Sequence, residues 1–370
     1  MKLICNKADL LNGVNTVSKA VPNKTSMSIL ECILIDASSN EIKLIANDTE
    51  LGIETTINGT IEEKGKIALD AKILTDYVRK LPDSQVSIEC DSSLKTYIKC
   101  DKINFTLIGK PADEFTYLPK VEKLDSIVLS QFSLKEIIRQ TIFSISDNDS
   151  NNKIMTGELF EVKGNNLRVI SLDGHRVSIR KIELKNNYEN KKVIVPGKTL
   201  NEIVKIIPGD TSKDVTIYFT GKHIMFEFER TIVVSRLIEG EYYNIDQMLS
   251  SDYETKIVVN KKELYDSIDR SMLLIKEGDK KPIIWNVTDN NVEVKINSII
   301  GSLNEEIAIE KQGKDLMIGF NPKFLMDALR VIDDENISVY MVNPKAPCYI
   351  KNGEESYIYM VLPVNFTTVS

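Results

Sequence analysis

The chain is poor in the residues around which catalytic and metal centres are usually built. Its 370 residues include two histidines, His175 and His223, and five cysteines. The cysteines (Cys5, Cys32, Cys90, Cys100, Cys348) are odd in number and nowhere spaced C-x-x-C. That excludes a fully paired disulfide framework and a zinc site of that spacing, and it fits a reducing cytoplasm. Two imidazoles leave little for acid–base chemistry or metal ligation, so no metal or cofactor is expected. No apolar run approaches the roughly 18 residues of a membrane-spanning helix. The opening MKLICNKADL has no apolar stretch of signal-peptide length, so a cytoplasmic protein with no membrane partner is expected. Aromatic residues make up 7% of the chain and tryptophan occurs once, too few to build an obvious base-stacking platform. Positive charge is also short: 47 Lys and Arg against 54 Asp and Glu, a net charge of −7. On bulk charge alone nucleic acid is not the first partner to consider, so the distribution of the charge has to decide.

What the sequence does contain is one stretch written three times. AKILTDYVRKLP from Ala71, GKTLNEIVKIIP from Gly197 and PKFLMDALRVID from Pro322 align without gaps. Lysine stands at Lys72, Lys198 and Lys323, and leucine at Leu74, Leu200 and Leu325. An acid follows at Asp76, Glu202 and Asp327, and a base at Arg79, Lys205 and Arg330. Val78, Val204 and Leu329 carry the apolar stripe on, and Leu81, Ile207 and Ile332 close it. A second element keeps the same step. LIDASSNEIKLIA, FEVKGNNLRVIS and NVTDNNVEVKIN each read as strand, Asn-containing turn, strand, with Ile42, Leu167 and Val292 evenly spaced. Each copy opens with an amphipathic helix, expected over 7–21, 133–145 and 261–274, in which Leu10, Ile137 and Leu264 keep a near-equal spacing. Alternating strands such as VTIYFTGKHIMFEFE fill the rest. The fold class is therefore α+β: three tandem modules, each two helices packed on antiparallel sheet. Polar linkers in LPKVEKLDS and LSSDYETK set the expected modules at 1–122, 126–249 and 252–370.

Within each repeated helix the two bases lie seven residues apart, close to two turns, so both project from one face. The apolar positions lie on the other side, against the sheet. A solvated surface would account for one such helix. Three registered copies in an acidic chain point instead to a local positive track that meets phosphates without reading bases, and so binds in a salt-sensitive, sequence-independent way. VIVPGKTLNEIVKII resembles the end of a P-loop, but Lys192 stands where that motif needs its first glycine and Pro196 removes a cradle N–H. A helix N-terminus after Pro-Gly is the plainer reading. If Lys198 meets a phosphate, that phosphate belongs to a nucleic-acid backbone.

Several motifs in order resemble one family. PNKTSMSILECILI (22–35) is similar to R-x-T-x-P-I-L, with Lys24 for the usual arginine and Ser28 for the proline. KPADEFTYLP (110–119) resembles P-x-x-[DE]-[FY]-P-x-[LM]-P. MTGELFE (155–161) and VISLDGHRVS (169–178) resemble L-x-G-[IV]-L-F-E and T-D-G-H-R-L. VIVPGKTLNEI, RLIEGEYYNID, IGFNPKFLMDAL and the terminal YMVLPVNF complete the set. By these the chain resembles the bacterial sliding clamp, the β subunit of DNA polymerase III.

That resemblance implies a non-catalytic accessory subunit for processive replication. Two copies would join head to tail into a six-module ring whose helices line the hole. It implies double-stranded DNA as a partner, met by Lys24, Lys72, Arg79, Lys198, Lys205, Lys323 and Arg330. The first module of one chain would join the third of the other through Met272, Leu273, Glu305 and Glu306. Tails of the replicative polymerase, the clamp-loader ATPase and other replication and repair proteins would enter a pocket. One wall carries Met155, Leu172, Gly174, His175, Arg176 and Val177. Asn321 and Phe324 stand nearby, with Met360, Val361, Leu362, Pro363 and Val364 from the C-terminal segment. Tyr243 sits where the family commonly has proline, Leu172 replaces a threonine, and Asn365 departs from arginine, which alters the expected peptide preference. No ATP motif is present, so loading is expected to need a separate ATPase. Three other readings stay open: a monomer that binds DNA openly, a scaffold without DNA, and an enzyme using Asp173 and His175. Trp285 sits in a strand pattern and reads as core. The Thr-Thr-Val-Ser tail after Phe366 has no assignment.

Overall fold

The computed structural model describes residues 1–117, 119, 121–147, 152–249, 252–276 and 281–366. The four-residue tail after Phe366, and residues 118, 120, 250 and 251 of the expected linkers, lie outside the described residues. Six α-helices are formed among them: α1 Lys7–Val17, α2 Ala71–Lys80, α3 Gln131–Arg139, α4 Gly197–Ile206, α5 Lys261–Met272 and α6 Pro322–Val331. None is long and apolar enough to cross a membrane.

The three helices that open the repeats end earlier than their apolar periodicity predicts, for local reasons. In α1, Ser18 Oγ donates to Val14 O at 2.6 Å and the chain tightens into a 3-10 turn, Ser18–Ala20. In α3, Thr141 Oγ1 donates to Ile137 O at 2.7 Å ahead of the 3-10 turn Ile142–Ser144. Side-chain hydroxyls compete here with the helical ladder. After α5 the N–H groups of Leu273 and Leu274 reach back three residues, to Arg270 O and Ser271 O, the usual tightening of a last turn. At the other end α3 starts two residues early, because Ser130 Oγ accepts the Ser133 N–H at 3.0 Å. Asp70, Asn260 and Asn321 cap α2, α5 and α6 in the same way, each satisfying an N–H that has no partner within the helix.

The apolar stripes go where the pattern sends them. Leu74, Val78 and Leu81 of the first copy are buried, as are Leu325, Leu329 and Ile332 of the third. Leu10, Ile137 and Leu264 are buried as well. In α4 the stripe differs from the expectation: Leu200, Ile203 and Ile207 are buried, while Val204 is half-buried. Thr199, Leu200, Ile203 and Ile207 centre the buried face on the Ile203 side of Leu200, and Val204, about 100° from Ile203 around the helix, falls at its edge. Trp285 is fully buried, its ring edge-on to Phe320 at 5.0 Å. Each such side chain contributes roughly 1.5–3 kcal/mol by leaving water.

All strand pairs are antiparallel, in sheets of five, eight and ten strands. The chain falls into two compact units: Met1–Lys135 with Lys198–Leu237, and Glu136–Gly197 with Ile238–Ser370. The reason is visible in the pairing. Strand Thr231–Arg236 of the middle repeat pairs with Leu51–Ile57 of the first, within the first unit. Strand Arg176–Pro196 of the middle repeat pairs with Tyr357–Val361 of the third, within the second. Sheets run through the repeat boundaries, so compact units and sequence repeats divide the chain differently. The Asn-containing segment of the middle repeat lies inside the strand Gly157–Leu172, where the register against Arg176–Pro196 shifts around Gly164, at φ +59°.

Candidate nucleic-acid face and partner site

The repeated bases are exposed on their helices: Lys72 and Arg79 on α2, Lys198 and Lys205 on α4, Lys323 and Arg330 on α6. Their partners differ. Arg79 meets Asp76 at 3.4 Å and Lys205 meets Glu202 at 2.8 Å, each one helical turn away. Lys198 pairs with the Asp48 carboxylate. Lys72 and Lys323 have no ion-pair partner among the described residues, nor has Lys24, which lies in the loop between α1 and strand Cys32–Asp36, outside the helical faces. Arg330 carries a raised pKa, first through a hydrogen bond with Tyr265.

The second unit assembles the expected pocket residues around one arginine. Arg176 is 7% exposed. Its Nε donates to Asp173 Oδ2 at 2.9 Å, one terminal nitrogen to Asp327 Oδ2 at 2.7 Å, and the other to Phe143 O at 2.7 Å. The guanidinium lies over the Phe324 ring, 4.4 Å from its centre. Burial opposes its charge, and Tyr359, Asp327 and Asp173 more than offset that and raise its pKa. His175 projects from the same turn, stacked on Phe324 with ring centres 6.0 Å apart. Gly174 holds the turn at φ +87°, a conformation that glycine adopts without strain. The other Asp173 oxygen accepts the N–H groups of His175 and Arg176. The Asp173 carboxylate is thus fully engaged with backbone and Arg176, not with the imidazole.

Beside this polar half lies an apolar half. Leu172, Val177 and Met360 are buried in one cluster, with Met155 and Tyr243 packed against it. Strand register brings them together, since Arg176 faces Val361 and Val177 faces Met360. The C-terminal segment then crosses the site. Leu362 N–H donates to His175 O at 2.9 Å, and Val364 N–H to Gly319 O at 2.8 Å. Gly319 is required there, because a Cβ would stand 2.7 Å from Phe366 Cδ1. Leu362 is exposed, and Pro363 and Val364 half-buried. Asn321 caps α6 at the edge of the group.

Of the four residues expected at a subunit contact, Leu273 is 79% exposed and Met272 packs against the core of the third repeat. Glu305 accepts from Arg270 Nε at 3.0 Å, and Glu306 from Asn291 Nδ2 at 3.1 Å.

Three family models, described as the N-terminal, central and C-terminal domains of the DNA polymerase III beta subunit, match residues 1–119, 128–244 and 246–365. The chain belongs to the DNA polymerase III β-subunit family. The beta sliding clamps of Staphylococcus epidermidis and Staphylococcus aureus are each 32% identical to it, over 98% of this chain and 99% of theirs. A crystal structure of the DNA polymerase sliding clamp from Bacillus subtilis superposes with a TM-score of 0.96 at 32% identity, covering 99% of this chain and all of that one. A crystal structure from Eubacterium rectale, described as a DNA polymerase III beta subunit, reaches 0.97 at 69% identity with the same coverage. Members of this clamp family are accessory subunits, and this chain carries all three of the family's domains in order.

Reading the sequence missed two parts of the site. Asp327 was legible only as a stripe acid, yet it is the second carboxylate on Arg176. Phe143, whose carbonyl and ring both meet Arg176, gave no signal in the periodicity. A third feature was also unread: the edge strand Ile103–Ile108, which among the described residues pairs on one side only and exposes Ile103 and Ile108. Its alternation, INFTLI, was the available clue.

Proposed function

We propose that two copies of this chain close head to tail into a ring around duplex DNA, and that the ring tethers the replicative polymerase and other factors by their tails. The carrying observation is the repeated basic face. Three copies of one helix present two exposed bases each, in a chain whose net charge is −7. Such faces meet phosphates of any sequence, and topology supplies the retention that weak contacts do not. Modules bounded near 122–126 and 249–252 fit this reading, as does a non-catalytic role in the cytoplasm with loading by a separate ATPase.

Ring closure is supported by two strand edges left unpaired among the described residues, which template pairing with another chain. One is Ile103–Ile108, with Ile108 83% exposed and lysines Lys95, Lys99 and Lys102 beside it. The other is the part of strand Gly301–Gly313 at 301–308, which pairs only with Asn291–Ser298. It carries Glu305 and Glu306 and lies near exposed Leu273, Ile299 and Ile300. A basic edge against an acidic edge makes a heterologous contact that closes after two copies. The partner site is supported by an apolar cluster beside a buried, fully paired arginine, a combination that holds an apolar anchor while fixing polar neighbours.

The test is the mass in solution together with retention on DNA. A mass near twice 41.8 kDa is expected, falling to the monomer in Leu273→Asp or Ile108→Asp. Once loaded, the protein is expected to stay on circular DNA and leave linear DNA. Equal loss from both would refute the ring, and full loading of a Lys72→Glu/Lys323→Glu variant would refute the DNA role of the stripe.

A further inference from the structure

The turn at 47–51 in the first unit stands 125 residues before the turn at 172–176, and the two are built alike. Asp48 Oδ1 accepts the N–H groups of Glu50 and Leu51 at 3.0 and 2.7 Å. Asp173 Oδ1 accepts those of His175 and Arg176 at 2.9 and 3.2 Å. The residue after each aspartate has positive φ, 78° at Thr49 and 87° at Gly174. A β-branched residue held there costs on the order of 1 kcal/mol. Each turn leads into a strand paired with the last strand of the following repeat. Leu51 faces Ser235 and Gly52 faces Val234, as Arg176 faces Val361 and Val177 faces Met360.

The walls, however, are chemically different. Gly52 occupies the register position of Val177, and a cavity of about 270 Å³ opens there, with Leu51, Gly52, Tyr117, Pro119 and Val234 on its apolar side and Asn47, Thr49, Glu50, Thr116 and His223 on its polar side. That is room for one large apolar side chain against the apolar side, with polar groups along the other edge to orient it. The rim is positive. Lys66 donates to Tyr117 Oη at 2.8 Å and pairs with Asp36. Lys198 pairs with Asp48, and Arg236 lies 3.9 Å from Glu50. Lys222 adds a further cation beside His223. Lys66, Lys198 and Arg236 are each set against a carboxylate, so the excess positive charge of the rim rests on Lys222. Burial first, and then Arg236, lowers the His223 pKa and leaves its imidazole neutral at pH 7.

We propose that this cavity is a second peptide site, separate from the one around Arg176, and that it takes a short acidic peptide with a single leucine- or phenylalanine-sized anchor. The anchor fills the space above Gly52 and Val234 against the Tyr117 ring, and the peptide carboxylates face Lys222 and Arg236. The site lies wholly within the first unit and depends on neither ring closure nor DNA.

The test is methyl NMR of the full-length protein titrated with acetyl-Asp-Glu-Leu-Phe-Asp-amide, with acetyl-Lys-Lys-Leu-Phe-Lys-amide as control. The expected result is saturable shifts of the Leu51 and Val234 methyls. At low salt the lysine peptide should bind roughly three- to tenfold more weakly, as charge complementarity at a rim predicts. Tyr117 is 47% exposed, so Tyr117→Ala should keep the fold and remove the shifts. Gly52→Val, which fills the cavity from within a strand, should remove them independently. Shifts confined to Leu172 and Val177 would overturn the proposal, because the peptide would then use only the site around Arg176. Equal binding of the lysine peptide, or shifts that survive both variants, would overturn it too.

Discussion

Helices α2 and α6 carry the same acid and the same base at the same spacing and use them differently. In α2, Asp76 stays with Arg79 on an exposed surface at 3.4 Å. In α6, Asp327 turns from Arg330 to the buried Arg176, at 2.7 Å. An exposed pair one turn apart contributes about 0.2–0.5 kcal/mol, whereas a hydrogen bond to a buried charge contributes about 1.5–3 kcal/mol. One residue type in one register therefore stabilises by very different amounts, and burial of the partner decides which. The third copy loses a local pair and gains a site. Arg330 then leans on Tyr265 instead.

The sharpest way to break this comparison is to remove its centre. Arg176→Ala strands Asp173 and Asp327 and removes the cation over Phe324, so a loss of about 3–5 kcal/mol is expected. Asp327→Ala leaves Arg176 with Asp173 and the Phe143 carbonyl, so the loss should be smaller, about 2 kcal/mol. Denaturant unfolding followed by fluorescence of Trp285, which lies in the same unit, measures both. If Asp327→Ala costs no more than Asp76→Ala, the difference between the two helices is not energetic.

The middle repeat offers a different contrast. Glu158 stands at the repeat position of Ile33 and Ile283, and all three are fully buried. Neither carboxyl oxygen of Glu158 has a partner at good hydrogen-bond geometry among the described residues, and burial raises its pKa to about 8, with Thr141 offsetting only a small part. Folding therefore keeps a proton that the unfolded chain releases above its ordinary value of 4.5. Between pH 4.5 and 8 the folded state binds more protons, so stability falls as pH rises through that window and levels off above it. The expected loss is on the order of a few kcal/mol. Glu158→Gln, and more so Glu158→Ile, should flatten the slope and raise stability at pH 8. An unchanged slope in Glu158→Gln would mean that another group titrates.

These contrasts also mark what was readable in the residues. The three copies, their helices, the inward stripes and the exposed bases follow from 3.6-residue periodicity and a shared step of 125 to 127 residues, because local pattern and burial agree there. The helix ends did not follow, since the chain tightens into the 3-10 turns Ser18–Ala20 and Ile142–Ser144, which leave no mark on the apolar pattern. Nor did the two-unit division, which depends on strands joining across repeats. Asp327 was visible as an acid on a helix. Its role at Arg176 depends on a partner 151 residues away, and periodicity carries no information at that range.

The finest test returns to the exposed pairs. Asp76→Asn and Glu202→Gln each remove an acid that shares a stripe base with solvent. Stability should change by less than about 0.5 kcal/mol in each. DNA contact should change more, because Arg79 and Lys205 lose their competing anions. If the bases meet phosphates, each variant should steepen the salt dependence of DNA association by up to about one counterion. Asp327→Asn provides the internal contrast: its acid is paired with Arg176 and adds only a minor coulombic attraction to Arg330, so it should steepen the salt slope less than the other two while lowering stability more. Equal slopes in all three variants would mean that the repeated acids do not tune the basic face. A steeper slope in Asp327→Asn alone would mean that Arg176, once released, reaches the DNA itself.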